Sequence, residues 1–138
     1  VGLEYPDLAE YEKSLQAIAA EGLPVHITEL DVDVLPRASN YTGAEISTSF
    51  ELRESLNPWK TGLPPEVDAQ LTVRYRQVFE LFLKYRDTIA RVTTWGTHDG
   101  ESWKNNFPVR GRTNYPLLFD RELKPKAAHG GIVALKSR

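Results

Sequence analysis

Neither cysteine nor methionine occurs anywhere in the 138 residues. The first absence excludes disulfides, thiolate nucleophiles and cysteine-built metal sites, and it does not choose a compartment. The second, with an opening VGLEYPDL that is no signal peptide and leads almost directly into a helix, points to a start other than the natural one. No apolar run approaches the roughly 20 residues needed to cross a bilayer, so membrane insertion has no support. The 17 Lys and Arg and 19 Asp and Glu are dispersed along the chain, which leaves no basic groove for nucleic acid. Three histidines without short spacing make no zinc site, and nothing calls for a cofactor. What remains, at 41% hydrophobic content and a formal charge of -2, is a globular chain of one-domain size.

The elements alternate. Leu8, Tyr11, Leu15, Ile18 and Ala19 recur at helical spacing after Pro6, and Gly22 with Pro24 stops the run. A strand is expected over Val25–Leu30, then a long polar stretch over about 35–65 that holds four prolines and two glycines. From Pro65, Val67, Leu71, Tyr75, Val78, Phe82 and Tyr85 mark the longest helix. A second strand follows over 89–95, and then a loop rich in Gly, Asn and aromatics. Helix, strand, loop, helix, strand, loop implies parallel strands with crossover helices, an α/β arrangement whose functional residues gather at the C-terminal ends of the strands. Glu29 and Trp95 both stand there.

The stretch VHITELDVDV poses a problem of its own. In a regular strand Val25, Ile27, Glu29, Asp31 and Asp33 share a face, so carboxylates are aimed where a core should lie. Ionised acids are costly to bury unless paired. Taken alone, an acid at a strand end is more often solvated or salt-bridged than catalytic.

Three runs carry a resemblance: ITELDVDVLP, NPWKTGLPPEV and TTWGTHDGESWKNNFPVRGRTNYPLLFDRELKPK. Together they resemble the C-terminal part of a glycoside hydrolase family 10 xylanase, over nearly the whole chain. The resemblance implies a portion of a (β/α)8 TIM barrel, from the sixth helix to the eighth strand and helix, with residues 1–138 as the C-terminal part of one catalytic domain. It implies an endo-1,4-β-xylanase that cuts internal bonds with retention, acting on xylan and xylo-oligosaccharides outside the cell, as a secreted, periplasmic or surface protein. Glu29 matches the nucleophile of that family. Asp31 matches a residue that orients and charges the nucleophile through a histidine on the preceding strand. Trp95 and Trp103 match the aromatics around the glycone sugars, Trp95 flooring the site and Trp103 covering it. A retaining glycosidase independently requires an ionised carboxylate about 5 Å from a protonated one.

The sequence also departs from the family pattern. No Asn-Glu pair is present, although that motif carries the family's acid/base glutamate, and the partner histidine is missing. KPKAAHGG stands in place of the usual Lys-Pro-Lys-Pro-Ala-Tyr or Phe, and Gly130 with Gly131 lowers helix propensity there. A catalytically inert fragment or a carbohydrate-binding remnant is therefore the rival reading, and a related barrel enzyme acting on cellulose a third. Asp33 and the charges of residues 7–13 read as solvated surface, and Trp59 as packing. His98 reads as a loop hydrogen bond, His26 as facing the helix layer and His129 as surface. Asn40-Tyr41-Thr42 fits a glycosylation acceptor weakly.

Two strands cannot close a barrel. Uncovered inner faces bearing Val25, Ile27 and Val92 and open strand edges are expected to seek the missing N-terminal part of the barrel or a second copy of the chain. Expressed alone, the segment is expected to associate and to release no reducing sugar from xylan. A stable monomer that hydrolyses xylan contradicts both expectations.

Overall fold

The structure, a computed structural model, describes residues 1–38 and 50–137; the Asn40-Tyr41-Thr42 triplet lies outside them. Helix α1 (Leu8–Ala20) leads to strand β1 (Val25–Leu30), helix α2 (Pro65–Lys84), strand β2 (Ile89–Thr94) and helix α3 (Ala127–Val133). The two strands pair in parallel, and the helices lie on one side of them. The alternation is that of successive strand-helix units of a (β/α)8 barrel.

Local chemistry explains each boundary. Asp7 caps α1, its Oδ1 accepting from the backbone N–H groups of Ala9 and Glu10, so this exposed acid is a helix cap rather than idle surface. Gly22, at φ 68°, turns the chain out of the helix in the left-handed region. Helix α2 begins at Pro65 in its first position, with Glu66 and Asp68 in the first turn and Lys84 in the last, each favoured by the helix dipole. Its buried stripe of Val67, Leu71, Arg74, Tyr75, Val78, Leu81 and Phe82 follows the helical period. Arg74 is satisfied there by the carbonyls of Gly2 and Pro6.

The strands are not regular. Ile27 pairs with Val92 and Leu30 with Thr94, so β1 carries one residue more than β2 across that interval. That is a β-bulge, and it reverses the alternation of side chains. Val25 and Ile27 pack against the helix-side core, and beyond the bulge Leu30, Val32 and Val34 join the same core. A second irregularity, in β2, sets Val25 against Ile89 but His26 against Arg91, and brings Ile89 and Val92 to that core too.

Two expectations are thereby corrected. Val25, Ile27 and Val92 face the helices, not an open interior. His26, expected against the helix layer, is exposed, as are Thr28, Arg91 and Thr93. The uncovered face of this two-stranded sheet is polar.

Helix α3 forms despite its two glycines, and Gly131 has a packing reason. A Cβ there would lie 3.1 Å from Cγ of Arg76 and 3.3 Å from Cγ2 of Thr72, both on α2. The missing side chain lets α3 lie close against α2. His129, expected at the surface, is half-buried, its ring 5.2 Å from that of Phe119.

Tyr75 joins the layers. Its hydroxyl donates to the Pro116 carbonyl at 2.6 Å, and the same carbonyl accepts from the Val32 amide at 3.1 Å. Leu71→Ala, which empties a fully buried site, should cost about 2–5 kcal/mol in chemical denaturation of the whole protein, and Tyr75→Phe about 1 kcal/mol. Equal losses for the two would contradict this ranking of packing over the single hydrogen bond.

Candidate active site

The bulge delivers Glu29 to the C-terminal end of β1 with its side chain exposed. The neighbouring Leu30 carbonyl accepts from the Trp95 amide at 2.9 Å, which sets the first residue beyond β2 beside the acid-bearing end of β1. Trp95 is 45% exposed there, well above what a core tryptophan shows. Gly96 follows at φ 134°, and a Cβ on it would meet Cδ1 of Leu117 at 2.9 Å. Only glycine allows this exit from the strand.

Asp31 is 4% exposed, and its Oδ2 accepts from the indole N–H of Trp103 at 3.0 Å. Burial raises its pKa, opposed by the positive charge of Lys104 and by the indole hydrogen bond. Trp103 stacks on Phe107 with ring centroids 5.1 Å apart and planes 16° apart, yet stays 39% exposed. Phe107 supports the ring, Asp31 holds its nitrogen, and the Lys104 ammonium lies 4.8 Å from its centroid.

Asp33 is not the solvated acid that its spacing suggests. Its Oδ1 accepts from the Leu35 amide at 3.0 Å and from the Asn114 side-chain amide at 2.8 Å. Its Oδ2 faces the Lys104 ammonium at 3.5 Å, with both side chains largely buried. The three acids of the row thus differ: Glu29 is exposed, Asp31 holds an indole and Asp33 holds a loop.

Beneath that loop lies a buried polar platform. Asp99 is fully buried; its Oδ2 pairs with the Lys126 ammonium at 2.9 Å and its Oδ1 accepts from the Leu117 amide at 2.8 Å. The Asn105 side-chain amide donates to the Asp99 carbonyl at 2.8 Å. Oδ1 of Asn105 accepts from the backbone of Asn114 and from Arg121, at 2.9 and 3.1 Å. Trp103 opens the short 3-10 turn that Asn105 closes.

Sequence reasoning missed Lys104, Asn105, Asn114, Arg121 and Lys126, whose roles depend on contacts between residues far apart in the chain. The one available signal was the density of Asn and basic residues in a long loop. His98 does form a loop hydrogen bond, its Nδ1 accepting from the Gly100 amide at 3.2 Å. Trp59 packs against the core, and its carbonyl accepts from the Tyr115 hydroxyl. Among the described residues no group of three or more His, Asp or Glu is placed to hold a metal ion. No helix among them is long and apolar enough to cross a membrane.

Glu29, Trp95 and Trp103 thus stand at or just beyond the C-terminal ends of two parallel strands, the end at which barrel enzymes of this architecture carry their functional residues. The family model of glycosyl hydrolase family 10 matches residues 1–135, and the chain belongs to that family. It is 44% identical to endo-1,4-beta-xylanase A of Xylanibacter ruminicola over 97% of its own length and 36% of that protein's. Among solved structures, an endoxylanase retrieved from a sugarcane soil metagenome superimposes with a TM-score of 0.93 at 49% identity, covering 97% of this chain and 39% of that one. A mutant structure in complex with xylotriose superimposes with a TM-score of 0.76 at 32% identity, covering 96% of this chain and 36% of that one. The chain thus spans little more than a third of these relatives, and its fold is a portion of their (β/α)8 barrel.

The buried pair yields a prediction with a definite sign. Burial raises the pKa of Asp99 and lowers that of Lys126, each opposed by the partner's charge. An acid with a raised pKa in the folded state adds stability that is present below its unfolded pKa and lost as pH rises through the folded value. Lys126→Met removes the cation and raises Asp99 further. The variant should lose about 3–5 kcal/mol at neutral pH. Part of that loss should return as the pH is lowered toward the ordinary carboxylate range. Urea denaturation at neutral pH and near pH 5 checks it, and a loss that is constant or grows on acidification contradicts it.

Proposed function

We propose that the protein carrying this chain is an endo-1,4-β-xylanase that hydrolyses internal bonds of xylan with retention, and that residues 1–138 form the C-terminal part of its single catalytic domain. The observation that carries this reading is the placement of Glu29, exposed on a bulged strand end beside Trp95, in a family 10 frame.

In this reading Glu29 is the nucleophile. Its carboxylate attacks the anomeric carbon while a second, protonated carboxyl gives its proton to the leaving oxygen; water then releases the glycosyl-enzyme with that second residue acting as base. The acid/base residue is the glutamate that family members carry in an Asn-Glu motif on the fourth strand, a pair absent from this sequence. Trp95 and Trp103 offer flat apolar faces to the glycone sugars, and Asp31 fixes Trp103 through its indole nitrogen. By the family pattern Asp31 also orients and charges Glu29 through a histidine carried on the preceding barrel strand. Because xylan is an extracellular polymer, the reading places the protein outside the cytoplasm.

The rival reading, a binding or inert segment, keeps the tryptophans without turnover. It is favoured by the missing acid/base glutamate, and it applies to residues 1–138 in isolation.

In the whole protein Glu29→Gln preserves shape and removes the nucleophile. Turnover of an aryl xylobioside should fall by several powers of ten with binding retained. Activity within tenfold of the parent removes Glu29 from the mechanism. Trp95→Ala and Trp103→Ala should each lower kcat/KM on xylo-oligosaccharides by an amount equivalent to about 1–3 kcal/mol while leaving the fold intact. Variants that unfold early and bind normally assign the two rings to packing instead.

A further inference from the structure

We propose that Asp33 is a positioning residue for the reaction, and that its ion pair with Lys104 locks the Trp103 loop to the strand that bears Glu29. The substrate in this inference rests on the xylanase reading; the link between loop and strand rests on geometry alone.

Lys104 follows Trp103 directly. Its ammonium lies 3.5 Å from Oδ2 of Asp33 and 4.8 Å from the centroid of the Trp103 ring. The Lys104 side chain is only 16% exposed and that of Asp33 10%, so water screens the pair little. Asp33 lies on the same chain segment as Glu29, two residues beyond Asp31, and its other oxygen fixes Asn114. Trp103 is therefore tied to the acid row twice, at its indole nitrogen by Asp31 and at its backbone neighbour by Asp33.

The two ties do different work. One hydrogen bond at the indole nitrogen leaves the ring free to swing about it. A second attachment, through the adjacent residue, removes that freedom. The stacking face is then fixed relative to Glu29 before any sugar arrives, which lowers the ordering required on binding. Phe107 supports the ring from one side but sits on the same loop, so it cannot set the loop's position against the strand.

The test uses the whole protein that carries this sequence, with Lys104→Met, Asp33→Asn, their combination, and Lys104→Arg. Met keeps the apolar stem, and Asn keeps an acceptor for Leu35 and Asn114; Lys104→Met also withdraws the positive charge near Asp31 and over the Trp103 ring, which Asp33→Asn leaves in place. Lys104→Met and Asp33→Asn should each raise KM for xylo-oligosaccharides about tenfold with kcat within about threefold, since a misplaced stacking face weakens binding more than attack. The combined variant should be no worse than the poorer single one, because one link is lost only once. Lys104→Arg should restore KM.

A second readout needs no turnover. The indole N–H resonance of Trp103, assigned by its disappearance in Trp103→Phe, should move and broaden in Lys104→Met and in Asp33→Asn but not in Lys104→Arg. An unchanged resonance, or effects of the two single changes that multiply in the combination, overturns the proposal. If the unaltered protein releases no sugar from xylan, the xylanase reading fails, and the resonance alone decides the role of the pair.

Discussion

The extra residue in β1 between Ile27 and Leu30 is the constraint on which the site depends. Without it, a strand that buries Val25 and Ile27 against the helices would send Glu29 and Asp31 into that same core, at the cost of desolvating two carboxylates. With it, Leu30, Val32 and Val34 continue the core while the acids fall on the other side. One local irregularity reconciles an apolar strand with a row of acids. Its counterpart in β2 keeps Ile89 and Val92 on the core side, so the strands stay paired up to Thr94 and Trp95 emerges level with Leu30.

The second element of the arrangement is the loop beyond Trp95. It carries no long helix or strand, so it is held by side chains: Asp99 and Lys126 below, Asn105 and Asn114 at its centre, Asp31 and Asp33 along its inner edge. Nearly every polar group in this set is paired, as burial demands. An aromatic platform that stays exposed cannot be fixed by packing on all sides, and polar anchors beneath it supply the rigidity that packing cannot. Glycine completes the construction where backbones come too close for a side chain, at Gly96 against Leu117 and at Gly131 against α2.

Much of the fold was legible from periodicity and punctuation. The stripe from Val67 to Phe82 and the Pro65 start marked α2, and the β-branched runs marked both strands, because these signals arise from burial within one element. The family resemblance, carried by long motifs, pointed to Glu29, Asp31, Trp95 and Trp103. What escaped was whatever depends on departure from regular geometry or on contacts between distant segments. Strict alternation put Val25 and Ile27 on the wrong face and turned His26 inward, since a bulge has no reliable signature in ITEL. Asp33 looked solvated because its partners, Lys104 and Asn114, lie far along the chain. Gly131 looked like a weakness of α3 until its distance from Arg76 and Thr72 gave it a function.

The central claim is that the bulge presents Glu29 as the group that bonds to the sugar. The most direct measurement is to treat the whole protein with a fluorinated xylobioside that forms but scarcely releases the glycosyl-enzyme, and to locate the added mass by peptide sequencing. The claim predicts one sugar adduct per protein, on the peptide that contains ITELD and at Glu29 within it. An adduct on any other carboxylate, or turnover of xylan with no covalent adduct at all, contradicts it.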